Sequence, residues 1–484
     1  MTRRQGTRRG RETGGQGIGP GRGMTHGQEP GARGRTRRTA FTAVAAVLAL
    51  TALQGRAVAD STPSPSGEPA APAVWQPAGK ALAGAATTVD APQMQPATTY
   101  RDTIGPGETK YYGIALDART SAYASAFAVP ASGSRVAYGD GIELKLESAG
   151  GEDCDSADSH FQDEGDVRPI GTAVSRLIGV ASSCQGADQY TLQVHRTSDG
   201  TSDPGAWPLE LRYVGEPALE PGTTARPAPG FGTASPTPLT TGTARQARGG
   251  TSFGTAAAVK TGIWKDRVLP GETRFYRVPV DWGQQVTVFA NFSSAQVTDD
   301  SAYVSSGVRL AAYSPVRELI DSENRAYEGA QTSISEQLAP VSYANRAASD
   351  DQVARVRYAG PYYFAVTVHP EVATAVKGPV PVVLRIQMEG AAQAGPAYDG
   401  DPGVAGIGVD AHDLSSANGA PAGGAASSGT SGLRFLAFAA LGAGTVLLLG
   451  LAGWIASARR RAARTVRTPT AEAPQSGYGP PPAW

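Results

Sequence analysis

The sequence predicts an all-β protein with two tandem antiparallel modules, each a β-sandwich or jelly roll, joined by disordered linkers and followed by one C-terminal transmembrane helix. Three observations predict this: a long segment occurs twice, short alternating apolar stretches are separated by turn dipeptides, and one charge-free apolar run lies near the C-terminus.

The internal repeat defines the two modules. Residues 100–117 recur at 264–281 with a constant offset of 164, and both copies contain Pro-Gly-Glu-Thr followed by a basic residue, an aromatic residue and Tyr. The ends of the copies also match, since 190–195 resembles 364–369. Each copy is therefore about 120 to 140 residues long, an ordinary size for a domain.

Alternation within each copy indicates β-strands. Tyr112, Ile114 and Leu116 alternate with small or polar residues, and the same pattern recurs at 276–280. The Pro-Gly dipeptide before each stretch is a turn signal, because Pro presets φ and Gly tolerates a positive φ. Short strands with frequent turns are typical of an antiparallel sandwich or jelly roll.

Composition places the domain boundaries. Stretches rich in Gly, Pro, Ala and Thr lack the apolar residues needed for a core. We therefore expect a disordered Pro/Ala-rich segment over 60–96, module 1 over 97–217, a Pro/Thr/Gly linker over 218–249, module 2 over 250–390 and a Gly/Ala/Ser stalk over 391–432.

A formal net charge of zero hides a strong asymmetry. Residues 1–59 carry 11 arginines and two acids, whereas residues 60–433 carry 26 basic and 40 acidic side chains. Phosphate binding requires a basic face, so the acidic middle argues against nucleic acid as a partner.

Residues 1–59 are predicted to be a basic leader that ends in a secretory signal peptide. An arginine cluster at 33–38 precedes a short apolar run at 41–53, and Ala57-Val58-Ala59 supplies a small-x-small cleavage site before Asp60. We therefore expect cleavage between Ala59 and Asp60. Met1 and Met24 are both candidate starts, and the pattern leaves the Sec and Tat export routes open.

The run 435–456 is predicted to cross a membrane. Its 22 uncharged residues, at about 1.5 Å each, span the roughly 30 Å hydrocarbon core. Five arginines follow within 459–467, so the positive-inside rule makes this end cytoplasmic. We expect a single-pass type I protein of the cell membrane, with both modules outside and the tail 457–484 inside.

The two cysteines and a nearby acidic loop are the candidate special sites. Cys154 and Cys184 lie in the exported region, where an oxidising compartment favours a disulfide over free thiols. Asp153, Asp155 and Asp158 are the candidate ligands for Ca²⁺, because calcium prefers carboxylate oxygens. Their spacing departs from the EF-hand pattern, and a solvated acidic loop is the alternative. No other cofactor is predicted.

No catalytic site is predicted. The sequence contains no recognisable nucleophile, metalloprotease, phosphate-loop or redox motif. His195 and His369 occupy equivalent places in the two copies, so we expect structural roles for both. Glu108 and Glu272 repeat within one turn and are expected to bond backbone amides or a neighbouring cation.

The turn motif carries a family resemblance. An extended strand, Pro-Gly-Glu-Thr, an aromatic-Tyr pair and a following Asp resemble the pre-peptidase C-terminal type of β-sandwich. The segment 249–253, with the Trp264 and 278–285 segments, more closely resembles uncharacterised actinobacterial surface proteins, some of which add a von Willebrand A domain and a final transmembrane helix.

This resemblance covers 95–456 and implies a noncatalytic, extracellular, adhesion-like or accessory role. The Asp-x-Ser-x-Ser metal motif of an A domain is missing from this sequence, and there is no room for such a domain. Metal-dependent adhesion is therefore not part of the expectation.

We accordingly expect a non-enzymatic cell-surface protein that displays two binding or structural modules from a membrane anchor. An envelope protein and an envelope glycan are both candidate ligands. The alternative is an accessory subunit of a membrane-bound envelope complex, recruiting partners through its Pro-rich cytoplasmic tail. A third interpretation is an extracellular hydrolase with an unrecognised site.

Overall fold

A computed structural model of the chain describes residues 71–180, 183–231, 237–299 and 301–421. The predicted signal peptide, its cleavage site between Ala59 and Asp60, the predicted span over 435–456 and the tail lie outside these residues. Within the described ranges no helix combines the length and the apolar character needed to cross a bilayer.

Nine strands form module 1. They are β1 Lys80–Ala81, β2 Thr98–Ile104, β3 Thr109–Leu116, β4 Ser121–Ala128, β5 Gly141–Ser148, β6 Asp153–His160, β7 Ile170–Arg176, β8 Asp188–Thr197 and β9 Trp207–Glu216. One sheet has the order β1-β2-β9-β4-β7, and the other has the order β3-β8-β5-β6.

Twelve strands belong to module 2. They are β10 Arg245–Gln246, β11 Ala257–Ala258, β12 Gly262–Val268, β13 Glu272–Val280, β14 Gln285–Phe292, β15 Gln296–Val297, β16 Val308–Tyr313, β17 Leu319–Arg325, β18 Thr332–Gln337, β19 Gly360–Val368, β20 Val376–Lys377 and β21 Val380–Glu389. Two sheets have the orders β10-β12-β21-β14-β18 and β11-β13-β19-β16-β17, and β15 pairs with β20 as a separate ribbon.

The helical elements in the described residues are all short. The α-helices are α1 Asp351–Ala354, α2 Val372–Ala375 and α3 Ala411–Ser416, and the 3-10 turns are Phe253–Thr255, Tyr343–Ala347 and Pro402–Ala405.

Both modules have the same jelly-roll topology. Strands β2-β9-β4-β7 of module 1 correspond in order to β12-β21-β14-β18 of module 2, and β3-β8-β5-β6 correspond to β13-β19-β16-β17. Eight antiparallel strands in two such sheets make a jelly roll. The expectation of an all-β sandwich fold is therefore confirmed.

Period-two alternation builds each core. Tyr112, Ile114 and Leu116 on β3 are at most 6% exposed and face the strands of the opposite sheet. Tyr276, Val278 and their neighbours on β13 do the same in module 2. Alternate side chains of a strand point to opposite faces of its sheet, so these residues line one face.

The modules also pack against each other, sheet on sheet. All eight residues of β4 are buried, because Ala122, Ala124 and their even-numbered neighbours face the core of module 1 while Tyr123 and Phe127 face module 2. On the other side, Tyr363 and Ala365 of β19 point outward and join the same cluster as Phe127. The four sheets therefore form four layers within one compact unit.

Two segments expected to be disordered are folded in their described parts, which are residues 71–96 and 391–421. In the 60–96 segment, Trp75 is 2% exposed and β1 pairs with β2. In the expected stalk, Ala405 and Ile407 join the core of module 2. A Pro/Gly/Ala-rich segment cannot build its own core, but a few apolar side chains can add to a core that already exists. We call residues 391–421 the C-terminal strap.

The expected linker also packs in part. Leu219 forms an isolated antiparallel bridge with Tyr398 of the strap. Two backbone hydrogen bonds support it, from Glu220 N to Ala397 O at 2.9 Å and from Asp399 N to Ala218 O at 2.8 Å. The linker and the strap therefore run side by side across the boundary between the modules.

Candidate functional site

The predicted disulfide is present. Cys154 on β6 and Cys184 in the loop before β8 are joined, with their Cα atoms 5.5 Å apart. Cys184 is 3% exposed and belongs to the core of module 1. The bond therefore attaches an edge strand to the loop that covers one end of the sandwich.

The three candidate calcium ligands do not converge, which corrects that expectation. Asp153 pairs with Lys145 at 3.2 Å, and Asp158 pairs with His160 at 3.3 Å. Asp155 accepts hydrogen bonds from the Ser175 amide at 2.7 Å and its hydroxyl at 3.0 Å. Among the described residues no group of three His, Cys, Asp or Glu side chains is arranged to hold a metal ion. Each carboxylate has its own donor because a register shift in β6 separates Asp153 from Asp155, and Asp158 lies three residues further along the strand.

The repeated turn glutamates bond backbone amides, as expected. Glu108 accepts from Gly105 N at 2.6 Å, and Glu272 accepts from Leu269 N at 3.0 Å. Gly107 and Gly271, inside these turns, have φ values of 67° and 80°. The Pro-Gly turn requires a residue that tolerates this left-handed region. The motif is therefore a structural turn in both modules.

Sequence analysis missed a second repeated contact, between an Asp and a Tyr of opposite sheets. Asp102 accepts from the Tyr112 hydroxyl at 2.8 Å, and Asp266 accepts from the Tyr276 hydroxyl at 2.7 Å. Each carboxylate also accepts a backbone amide, from Gly84 and Gly249 respectively. Burial, and then the nearby Asp, raises the pKa of each tyrosine hydroxyl. The shared offset of 164 was the signal that could have found this pair.

The two histidines lie in different modules, in agreement with structural roles. His195 Nδ1 is 2.9 Å from the Thr109 hydroxyl. His369 is 2% exposed, and its Nδ1 accepts from the Glu371 amide at 3.1 Å. Neither ring lies beside the other, so they form no acid–base pair.

An aromatic cluster, which we call the aromatic seam, fills the boundary between the modules. Phe253 lies at its centre, with ring centroids 4.8 Å from Phe127 of module 1 and 5.0 Å from Phe275 of module 2. Trp75 packs 5.5 Å from the same ring. The other aromatic members are Tyr313 and Tyr363. Edge-to-face contacts between buried rings add stability beyond the area that they bury.

A buried carboxylate at the boundary between the modules connects three parts of the chain. Glu216, at the end of β9, accepts from the Tyr123 hydroxyl at 2.6 Å, from Arg346 Nη2 at 2.8 Å and from the Tyr398 hydroxyl at 2.9 Å. Tyr123 belongs to module 1, Arg346 to module 2 and Tyr398 to the C-terminal strap. Burial, and then Glu216, raises the pKa of both tyrosine hydroxyls. The network therefore joins both modules and the strap.

A second buried carboxylate, Glu210, joins the N-terminal segment to both modules. Glu210 on β9 accepts from Arg317 Nη1 of module 2 at 2.8 Å. It also accepts from the Trp75 indole at 3.2 Å and the Ala78 amide at 2.8 Å. The Glu210 and Arg317 side chains are 2% and 5% exposed. No sequence pattern could have identified these contacts, because the partners are more than a hundred positions apart.

A small open cleft lies where the linker, module 2 and the C-terminal strap meet. Its volume is about 140 Å³, and its wall includes the aromatic rings of Trp282 and Tyr343. Arg226 and Gln393 lie on its exposed rim. Ordinary small-molecule pockets have about 300 to 1,000 Å³. The cleft can therefore admit one protruding group of a larger ligand, but it cannot enclose a substrate.

No protein-family model matches the chain, and no curated protein matches it. The solved structures that match it do so only at low similarity. The match to the CUB1-EGF-CUB2 domain of human MASP-1/3 has 7% identity and a TM-score of 0.15, and covers 60% of this chain and 99% of that chain.

Two further matches are similar in extent. The ANX1 ectodomain from Arabidopsis thaliana is 7% identical, with a TM-score of 0.18 and coverage of 61% of this chain and 84% of that chain. The CBM22-1-CBM22-2 tandem domain of Xyn10C from Paenibacillus barcinonensis is 11% identical, with a TM-score of 0.15 and coverage of 60% and 85%. Similarity at this level transfers no function to the chain.

Proposed function

We propose that the protein is a non-enzymatic cell-surface protein that displays its two jelly-roll modules as one rigid body from a single membrane-spanning helix. The observation that carries the proposal is the use made of the buried ionisable side chains. Glu210 and Glu216 each bond an arginine of the other module. These buried ionisable side chains form ion pairs across the boundary between the modules.

The geometry of the modules supports display over catalysis. The histidines and the repeated glutamates have structural partners in separate modules. The two described cavities have volumes of about 140 and 30 Å³, the second about that of one water molecule. A catalytic site normally combines convergent polar groups with a concave pocket, and neither cavity provides this combination.

The membrane part of the proposal rests on the sequence. Residues 435–456 form the uncharged run, and the arginines within 459–467 give it an orientation. A labelling experiment on intact cells tests this arrangement. Val89 is 93% exposed, so a Val89→Cys variant should react with a membrane-impermeant maleimide, whereas Ser476→Cys should react only after lysis. Labelling of Ser476→Cys in intact cells would overturn the topology.

The binding part of the proposal assigns the open cleft as the contact site for an envelope glycan or protein. Aromatic side chains with a few polar groups beside them are typical of ligand-binding sites. The test is retention of purified envelope glycan, and separately of envelope protein, by the full chain in detergent. Arg226→Ala with Gln393→Ala should lose the retained ligand. Equal retention by Arg135→Ala, an exposed change in module 1, is the control.

Retention of neither class by the unmodified chain would overturn the binding role. Retention that the rim variant leaves unchanged would overturn the cleft as its site.

A further inference from the structure

A basic surface without acidic partners runs along one edge of module 2. Residues 241–270 contain five basic side chains and one acid. We call the five the basic edge, and all are exposed: Arg245, Arg248, Lys260, Lys265 and Arg267. The single acid, Asp266, is bonded to Tyr276 and Gly249 instead. No carboxylate in the described ranges lies within ion-pair distance of the basic edge.

This edge contrasts with the rest of the exported region. Residues 60–433 hold 26 basic and 40 acidic side chains, and the basic edge takes five of those 26. Because the region carries an excess of acidic side chains, an anionic surface repels it overall and favours the orientation that presents this edge.

The last described residues of the chain lie at the same edge. Near the end of the C-terminal strap, Gly419 N donates to Ala258 O at 2.8 Å, and Arg248 N donates to Gly419 O at 2.9 Å. The ring of Trp264, beside Lys265, packs against Gly419. The described part of the chain ends two residues later, at Pro421. The path toward the predicted membrane span therefore starts at the basic edge.

Few residues separate Pro421 from the predicted membrane span, and we call them the tether. Phe435, where the predicted span begins, follows Pro421 by 14 positions. A fully extended chain covers at most about 3.5 Å per residue, so the basic edge stays within about 50 Å of the bilayer. A tether of this length gives the edge a high effective concentration at the membrane that holds the anchor.

We propose that the basic edge docks onto the anionic phospholipid surface of that membrane and so orients the rigid body. The inference rests on the proposed membrane anchor. Lys and Arg at an anionic bilayer attract it over about a Debye length, and salt weakens the attraction. Docking holds the open cleft and module 1 in a defined orientation relative to the cell surface.

The test uses the full chain reconstituted into vesicles of phosphatidylcholine alone or mixed with phosphatidylglycerol. Both native cysteines form the disulfide, so a Thr261→Cys variant carries one donor dye at an exposed position of the edge. Energy transfer to a headgroup-labelled lipid then reports docking. We expect higher transfer in the anionic vesicles, and we expect added salt to reduce it to the level in phosphatidylcholine.

A matched pair of variants identifies the residues. Lys265→Gln with Arg267→Gln should lower the ratio of docked to undocked chain in anionic vesicles by about 30-fold, which is about fivefold for each residue. Lys80→Gln with Arg101→Gln makes the same charge change on β1 and β2, the corresponding exposed strands of module 1. This control should leave the energy transfer unchanged.

The outcomes separate the two proposals. A chain that alkaline extraction removes from both vesicle types overturns the anchor, and this inference with it. A chain that resists extraction but shows equal transfer in both lipid mixtures overturns the inference alone, as would happen if the edge served an anionic glycan.

Discussion

Arg346 of module 2 donates to Glu216 of module 1 at 2.8 Å, and their side chains are 6% and 1% exposed. Removing one partner of a buried ion pair leaves an uncompensated charge, which costs about 3 to 5 kcal/mol. We therefore expect Arg346→Met to lower the free energy of unfolding by that amount in urea.

The companion change should recover much of that loss. In Glu216→Gln with Arg346→Met neither member of this buried pair is charged, and neutral replacement of a buried pair is often tolerated. A double variant no more stable than Arg346→Met would contradict the assignment of Glu216 as the buried charge.

Trp75 should contribute to stability although it lies in a segment with the composition of a disordered linker. It is 2% exposed, packs in the aromatic seam and donates to Glu210. Truncating a buried Trp to Ala costs about 3 to 5 kcal/mol. We expect Trp75→Ala to lower the thermal unfolding midpoint clearly, and Tyr138→Ala, at a position 63% exposed, to leave it nearly unchanged. Equal midpoints for Trp75→Ala and the unmodified chain would show that this segment does not pack in solution.

The disulfide should stabilise module 1. Closing a loop of about 30 residues is worth about 3 to 4 kcal/mol in the chain-entropy account. Cys154→Ser with Cys184→Ser should therefore unfold at lower denaturant concentration than the oxidised chain. Adding reductant should lower the unfolding midpoint of the oxidised chain and leave that of the double variant unchanged. Insensitivity of the unmodified chain to reductant under denaturing conditions would argue that the bond is not formed in the isolated protein.

Glu336 should make stability depend on pH. Its side chain lies between the sheets of module 2 and is 4% exposed. Burial, then Asp321 and Glu323, raises its pKa from 4.5 to about 9. Between these two values the unfolded chain has released the proton that the folded chain keeps, so the contribution of Glu336 to stability falls as pH rises.

Glu336→Gln removes this titration. We expect the variant to be more stable than the unmodified chain at neutral pH and to lose less stability on going toward about pH 9. Urea unfolding at several pH values measures both effects, with Glu328→Gln, a change at an exposed position, as control. Parallel pH profiles for Glu336→Gln and the unmodified chain would reject the raised pKa.

Several site residues could be placed from the sequence because their partners are local or repeated. Glu108 bonds an amide three residues away, and the same turn recurs at Glu272. Asp153, Asp155 and Asp158 show the opposite case. Their proximity along the chain suggested a metal site, but the strand directs them to separate partners. Spacing in sequence becomes spacing in space only when the local structure keeps the side chains on one face.

By itself, the sequence determined that the chain is built from two copies of one β module, because period-two alternation and the 164-residue offset are written along the chain. The tertiary structure alone decided that the copies form one body. β4 reads Ser-Ala-Tyr-Ala-Ser-Ala-Phe-Ala and is buried on both faces, but alternation does not say what covers the second face. Tyr123 and Phe127 find their partners more than a hundred residues away, and only packing could select them.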